Sequence, residues 1–275
     1  MSTRRFGRCG ARGFIDRLGP RPVELAGSLG EIERGTIDAA LQFFIGEKDA
    51  PYAAGFVTNC HPQDGKQISN VIQFGVTGQN NSNAFNLIRF GDRSGNAELR
   101  RKGLAVLSFF ANIASRSKLA YVPGCYNADA REFGSWWTGL TLPRAYAEPG
   151  GDIEALMGPL CGHLREVIEA LADREGVYLR CLVEEHAAPL AAHRYEAKRG
   201  AVHSDWLAVC RAFVDFLISA QNPDGSWFRA YTLGGEAITE PTSWFGQTEA
   251  QQKSSTSVAV PLRCLLRGDR RRARA

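Results

Sequence analysis

The feature that most constrains this chain is helical periodicity carried through three long segments. From Asn96, NAELRRKGLAVLSFFANIAS places Leu99, Gly103, Val106, Phe110 and Ile113 on one stripe at three- and four-residue steps. Asn96 is a natural N-cap, and Glu98 suits the positive end of the first turn. From Asp152, DIEALMGPLCGHLREVIEALADREG repeats the pattern with Ile153, Leu156, Met157, Leu160, Leu164, Val167, Ile168 and Leu171, and Gly176 is a stop signal. From Ser204, SDWLAVCRAFVDFLISAQ carries Leu207, Cys210, Phe213, Val214 and Leu217. Shorter helical candidates cover 36–45, 81–91, 255–266 and 177–198, the last interrupted by Pro189. The connectors NCHPQDGK, GDRSGN, AEPGGD and QNPDGS are rich in turn formers, and strand-like pieces such as KLAYVP and WFRAYTL are few and short. The expected class is all-α, with long loops and little strand.

The helices also pair. Residues 81–115 read as helix, short polar turn, helix, with the second helix the more amphipathic. The first mixes small and polar residues with aromatics, as suits a helix packed on several sides. Residues 177–227 repeat that plan more loosely. Two-helix units in series predict hairpins arranged around an axis.

Composition sets the outer limits. The chain has 275 residues, 44% hydrophobic and 23% charged, an ordinary globular balance that is enough to bury a large core. Its formal net charge of +4 is concentrated at MSTRRFGRCGARG and RGDRRRARA. The expectation is therefore basic, disordered segments over 1–24 and 268–275 flanking one domain from 25 to 267, with no nucleic-acid partner. Seven cysteines (Cys9, Cys60, Cys125, Cys161, Cys181, Cys210 and Cys264) are odd in number and never spaced as C-x-x-C, which argues against a disulfide framework or a zinc cluster. No run approaches the ~18 apolar residues of a membrane span, and no apolar stretch follows the N-terminal arginines. A soluble, cytoplasmic protein without a membrane partner is expected. Both ends make poor domain boundaries, so a piece of a longer protein is a further expectation.

Residues 211–227, RAFVDFLISAQNPDGSW, carry the most specific pattern. Arg211-Ala212, Phe216-Leu217, Gln221 and Gly225-Ser226-Trp227 follow at three-residue gaps. Phe216 and Leu217 are expected to bury the helix, Asn222 to Gly225 to turn the chain, and Trp227 to fold back over the helix end. Gln221 is expected to satisfy an orphan carbonyl or to meet the next repeat. This order resembles the QW repeat of the terpenoid cyclases and their α/α-toroid relatives, where the motif is structural rather than catalytic. Lys102 to Phe110 is a partial echo. The wider layout resembles the six-hairpin glycosidase-like proteins, through Thr77-Gly78-Gln79, Ser94 to Gly103, AQNPDGSW followed by FRAY, and Lys253 to Arg263 as a further inner helix. The resemblance covers most of residues 25–267 and implies an (α/α) toroid of helical hairpins. The D-x-D-D run of the triterpene cyclases is absent. About seven or eight helical candidates fall short of the twelve in a full ring, which leaves open an incomplete ring or helices of weak periodicity.

The same resemblance implies a carbohydrate-active, glycoside hydrolase-like protein acting on an oligo- or polysaccharide at the mouth of the ring. Hydrolysis there needs two carboxyl groups, one as proton donor and one as base or nucleophile. CYNADAREFGSWWTG offers Tyr126, Asp129, Glu132, Trp136 and Trp137, and NPDGSWFRAYTLGGEAITEPTSWFG offers Asp224, Trp227, Tyr231, Glu236, Glu240 and Trp244. Asp129 or Glu132 with one of Asp224, Glu236 or Glu240 makes the acid and base pair, and the aromatic residues of both loops bind the sugar. The tryptophans are equally suited to packing beneath long loops. Glu184-Glu185-His186 offers an acid and a base, but neighbours on a helix face different ways and a charged, solvated face is expected. Neither a metal nor a cofactor is expected. Cys125-Tyr126 and Cys60-His61 resemble zinc elements of the lanthionine cyclases but stand in reversed order, with Pro62 after the histidine. P-loop, G-x-G-x-x-G, H-E-x-x-H and G-x-S-x-G patterns are absent. The alternatives are a non-catalytic toroid that binds a partner, a polysaccharide lyase with Tyr126, Tyr231 or His203 as base, and a terpenoid enzyme.

Overall fold

Local capping decides where the helices begin. A computed structural model describes residues 27–46, 53–57, 66–67, 70–74, 80–117, 119–120, 125–129, 131–134 and 177–239. Helix α1 (Leu29–Gln42) opens on a reciprocal cap in which the Glu31 amide donates to Ser28 Oγ at 3.3 Å and the Ser28 amide donates to Glu31 Oε2 at 2.7 Å. The Ser28 amide and the Ser28 hydroxyl, both donating to Oε2, hold the Glu31 carboxyl below its ordinary range. The cap starts the helix well before Thr36, where periodicity places it. Its expected end at Ile45 is instead strand β1 (Phe44–Gly46), paired antiparallel with β2 (Ala54–Phe56). The chain divides into two units, residues 1–40 and 41–275.

Within the second unit, α2 (Asn80–Ser94) and α3 (Ala97–Ala114) form a hairpin. Asn96 caps α3 as expected, accepting from the Glu98 and Leu99 amides at 3.0 and 3.2 Å. Leu99, Gly103, Val106, Phe110 and Ile113 are all buried, so the predicted stripe is the packed face. Gly103 lets the two helices approach closely. A Cβ there would stand 2.8 Å from Ile88 Cγ1 and closer still to the Ala84 carbonyl.

The second hairpin is α4 (Leu179–Ala197) followed by α5 (Ser204–Ser219). The buried face of α5 is Trp206, Val209, Cys210, Phe213, Phe216 and Leu217. Leu207 and Val214, predicted on that face, are only half-buried, because the face centres on Trp206 and Phe213. Val177–Tyr178, expected in the helix, is the short strand β6.

Pro189 lies inside α4 without ending it. Proline has no N–H, so the Glu185 carbonyl loses its helical donor four residues on. Asn81 replaces that donor from the neighbouring hairpin: its Nδ2 donates to the Glu185 carbonyl at 2.9 Å. Asn81→Ala removes this buried hydrogen bond and is expected to cost about 1–3 kcal/mol. Pro189→Ala in that background should recover much of the loss by returning the amide. Chemical denaturation of the two variants checks this, and no recovery in the double variant would refute it.

The two hairpins lie side by side, α2 against α4 and α3 against α5. Asn81 and Glu185 meet near the starts of α2 and α4, and Asp92 meets Tyr195 and Arg199 near their ends, so these helices run parallel. His186 touches both Phe110 and Phe213, and Arg100 and His203 both approach Glu196, which aligns α3 with α5 in the same sense. Small antiparallel sheets cover one end: β3 (Val71–Gln73) with β4 (Cys125–Asn127) and β5 (Glu132–Gly134), and β6 with β7 (Ala230–Tyr231). Among the described residues the architecture is mostly helical, with five helices against seven strands of two or three residues.

Candidate functional site

Both loops that carry the predicted site residues emerge at one end of the paired hairpins. β3 leads toward the start of α2, whose first residue, Asn80, accepts the Phe56 amide and donates to the Gln73 carbonyl. β4 and β5 extend that sheet, with Ile72 opposite Tyr126. At α4, the Leu179 amide donates to the Arg229 carbonyl at 2.9 Å, and Val177 pairs with Tyr231. α3 and α5 finish at this same end. The turn after α3 reaches the second of these loops, since a Cβ on Gly235 (φ +91°) would lie 2.6 Å from Leu119 Cδ1.

The carboxylates and the aromatics separate by burial. Asp129 is exposed in the β4–β5 turn and accepts from Asn70 Nδ2 at 2.7 Å. Asp224 is exposed and accepts from both the amide and the hydroxyl of Ser226, at 2.9 and 2.5 Å. Glu236 is exposed in a turn closed by the Thr232 amide on its carbonyl at 2.8 Å. Glu132 lies on β5. Glu240, Trp136, Trp137 and Trp244 lie outside the described residues, as do Cys60, His61, Thr77 to Gln79, and the helix predictions at 152–176 and 255–266.

Three predicted sugar contacts are instead core. Tyr126 is buried with its ring edge-on to Phe109 at 5.3 Å. Trp227 is fully buried and donates Nε1–H to the Leu217 carbonyl at 2.7 Å. Tyr231 is buried, its hydroxyl accepting the Phe228 amide at 3.0 Å, and burial pushes its phenol up to about 12. These rings offer no exposed face for stacking, and Tyr231 stays protonated where a lyase base must be ionised. His203, the other lyase base considered, lies at the opposite end of the hairpins. Gln221 donates to the Gly225 carbonyl of its own turn at 3.1 Å, not to a helix carbonyl.

Beneath the loops the structure buries a pair for which a solvated face is expected. Glu185 and His186 are both almost fully buried, because α4 packs against α2, α5 and the end of the α3 hairpin together. Glu185 accepts the Asn81 amide at 3.3 Å, near the positive start of α2. His186 stacks on Phe213 at 3.9 Å and stands edge-on to Phe110 at 5.2 Å. Its Nδ1 lies 2.6 Å from the Leu182 carbonyl and its Nε2 lies 2.7 Å from that of Ala120. Burial lowers its pKa to about 4 and outweighs the opposing pull of the two carbonyls, so the ring is neutral at neutral pH.

The opposite end holds a charge network that periodicity does not announce. Arg100 binds the fully buried Glu196 carboxylate through two N–H groups and also reaches Asp92, which pairs with Arg199 at 3.1 Å. The available signal is the recurrence of charged residues around both hairpin turns, GDRSGNAELRR and RYEAKRGAVHSD. Among the described residues no cluster of His, Cys, Asp and Glu could hold a metal ion, and no helix is long and apolar enough to cross a membrane. No protein-family model, curated protein or solved structure matches this chain.

Proposed function

We propose that this chain is a carbohydrate-active protein built on an (α/α) toroid of the six-hairpin glycosidase-like kind. Its oligo- or polysaccharide binds where the inner helices begin. α2 and α4 take the inner positions, and α3 and α5 the outer ones. One observation carries this conclusion: Asp129 on one side and Asp224 and Glu236 on the other belong to loops at the same end of two parallel hairpins, where Leu119, in the turn after α3, lies against Gly235 beside Glu236. Packing of inner on inner and outer on outer helix supports a ring of such units. In the chemistry this implies, one carboxyl protonates the leaving oxygen while the other acts on water or on the sugar. The test is release of reducing ends from a polysaccharide panel by the full chain and by Asp129→Asn, Asp224→Asn, Glu236→Gln, Glu132→Gln and Glu240→Gln. Loss of at least one true partner is expected to lower kcat about 100-fold or more. Undiminished turnover in the combined variant sinks the proposal.

A second reading, a non-catalytic toroid that binds a partner, draws on the buried Trp227 and Tyr231 and on the engagement of Asp224 by Ser226. Under it the same glycans give neither turnover nor a saturable titration.

A further inference from the structure

Ala120 is a buried residue in the left-handed region, with φ +53°. A Cβ-bearing residue adopts that conformation only where its surroundings hold it. Its amide donates to the Ser117 carbonyl at 3.0 Å, and its own carbonyl meets His186 Nε2 at 2.7 Å. The imidazole is poorly placed to swing away, because one face lies on Phe213 and Phe110 stands against it. Cys210 Sγ donates to the His186 carbonyl at 3.4 Å, which ties the same residue to α5. Of the two carbonyls facing the ring, that of Leu182 already receives the helical amide of His186 four residues on. The Ala120 carbonyl depends on the ring for its donor.

We propose that His186 is a positioning residue for the end of the hairpins that carries the carboxylate loops. Its Nε2–H, donated to the Ala120 carbonyl, fixes the turn at Leu119 and Ala120 that follows α3. Leu119, adjacent in the chain, packs against Gly235, so the same grip steadies the loop of Glu236. What this segment does for a sugar rests on the carbohydrate reading above. How it is held rests on the geometry of His186 and Ala120 alone.

The first measurement is the imidazole nitrogen spectrum of the 15N-labelled full chain at neutral pH. A protonated Nε2 at His186 is expected, and an unprotonated Nε2 overturns the proposal. The second is amide exchange of the full chain at Leu119 and Ala120 and over 125–127, with the second half of α2 as internal reference. His186→Phe fills the space without a donor and is expected to speed exchange there about tenfold. His186→Gln returns a donor near Nε2 and should stay within about threefold of the parent. Ala120→Gly added to His186→Phe should slow the exchange again, since glycine holds the left-handed conformation without help. Equal protection in His186→Phe and the parent overturns the proposal, and if that variant fails to fold, the nitrogen spectrum of the parent decides alone. Absence of glycan turnover in the parent would remove the carbohydrate reading while leaving both of these readouts intact.

Discussion

Arg100→Ala is expected to lower the unfolding free energy by about 3 kcal/mol, seen as a lower urea midpoint at unchanged slope. The Glu196 side chain has no exposed surface, and Arg100 supplies it with two parallel hydrogen bonds. Without that guanidinium the carboxylate keeps its desolvation cost, and His203 Nε2, at 3.6 Å, is too distant for a hydrogen bond. Arg100 itself is 28% exposed, which holds the expected loss at the lower edge of the range for buried pairs. Arg100→Lys should fall between the parent and the alanine variant, because a single ammonium cannot reproduce the planar fork. Removing both charges, as in Arg100→Met with Glu196→Leu, should return stability to within about 1 kcal/mol of the parent. A loss under about 1 kcal/mol in Arg100→Ala would mean that the pair behaves as a solvated surface contact.

Trp227→Ala is expected to cost about 3–5 kcal/mol, with loss of a cooperative transition if the parent is only marginally stable. The indole fills the cluster of Leu179, Phe213, Phe216, Leu217 and Tyr231 and also completes the end of α5. The amide that would ordinarily serve the Leu217 carbonyl belongs to Gln221, which turns to Ile218 instead. Trp227 Nε1–H takes that place. Trp227→Phe keeps much of the volume but no donor, so its cost should be smaller and should include the unpaired carbonyl, about 1–3 kcal/mol. Thermal or urea unfolding of the two variants separates the packing from the hydrogen bond. Equal losses in both would show that the ring volume contributes little.

The legible parts of this chain are those whose signal is local. The α3 stripe and its Asn96 cap are readable because helix packing repeats every three to four residues and the cap lies beside what it caps. The return of Trp227 over α5 is readable because a four-residue turn leaves the indole little other reach. Apart from β7, which lies within the strand-like WFRAYTL, the strands escape notice for a physical reason: two or three residues are too few to show alternation. The start of α1 is missed because the Ser28–Glu31 cap outweighs periodicity that strengthens only later.

The site divides in the same way. Loop composition singles out Asp129, Glu132, Asp224, Glu236 and Glu240, of which Asp129, Asp224 and Glu236 are exposed, as a solvated loop carboxylate also is. It cannot separate Trp227 and Tyr231 from a binding surface, since a large ring suits a core and a sugar equally. The sequence by itself determined helices, their pairing into hairpins and the turn after α5, because each follows from residues within a few positions of one another. The tertiary structure alone decided that Asn81 serves the carbonyl freed by Pro189, that Arg100 serves Glu196, and that His186 meets Ala120. Those pairs join residues far apart in the chain, and their partners are chosen by which helices lie side by side and by the cost of leaving a buried polar group unpaired.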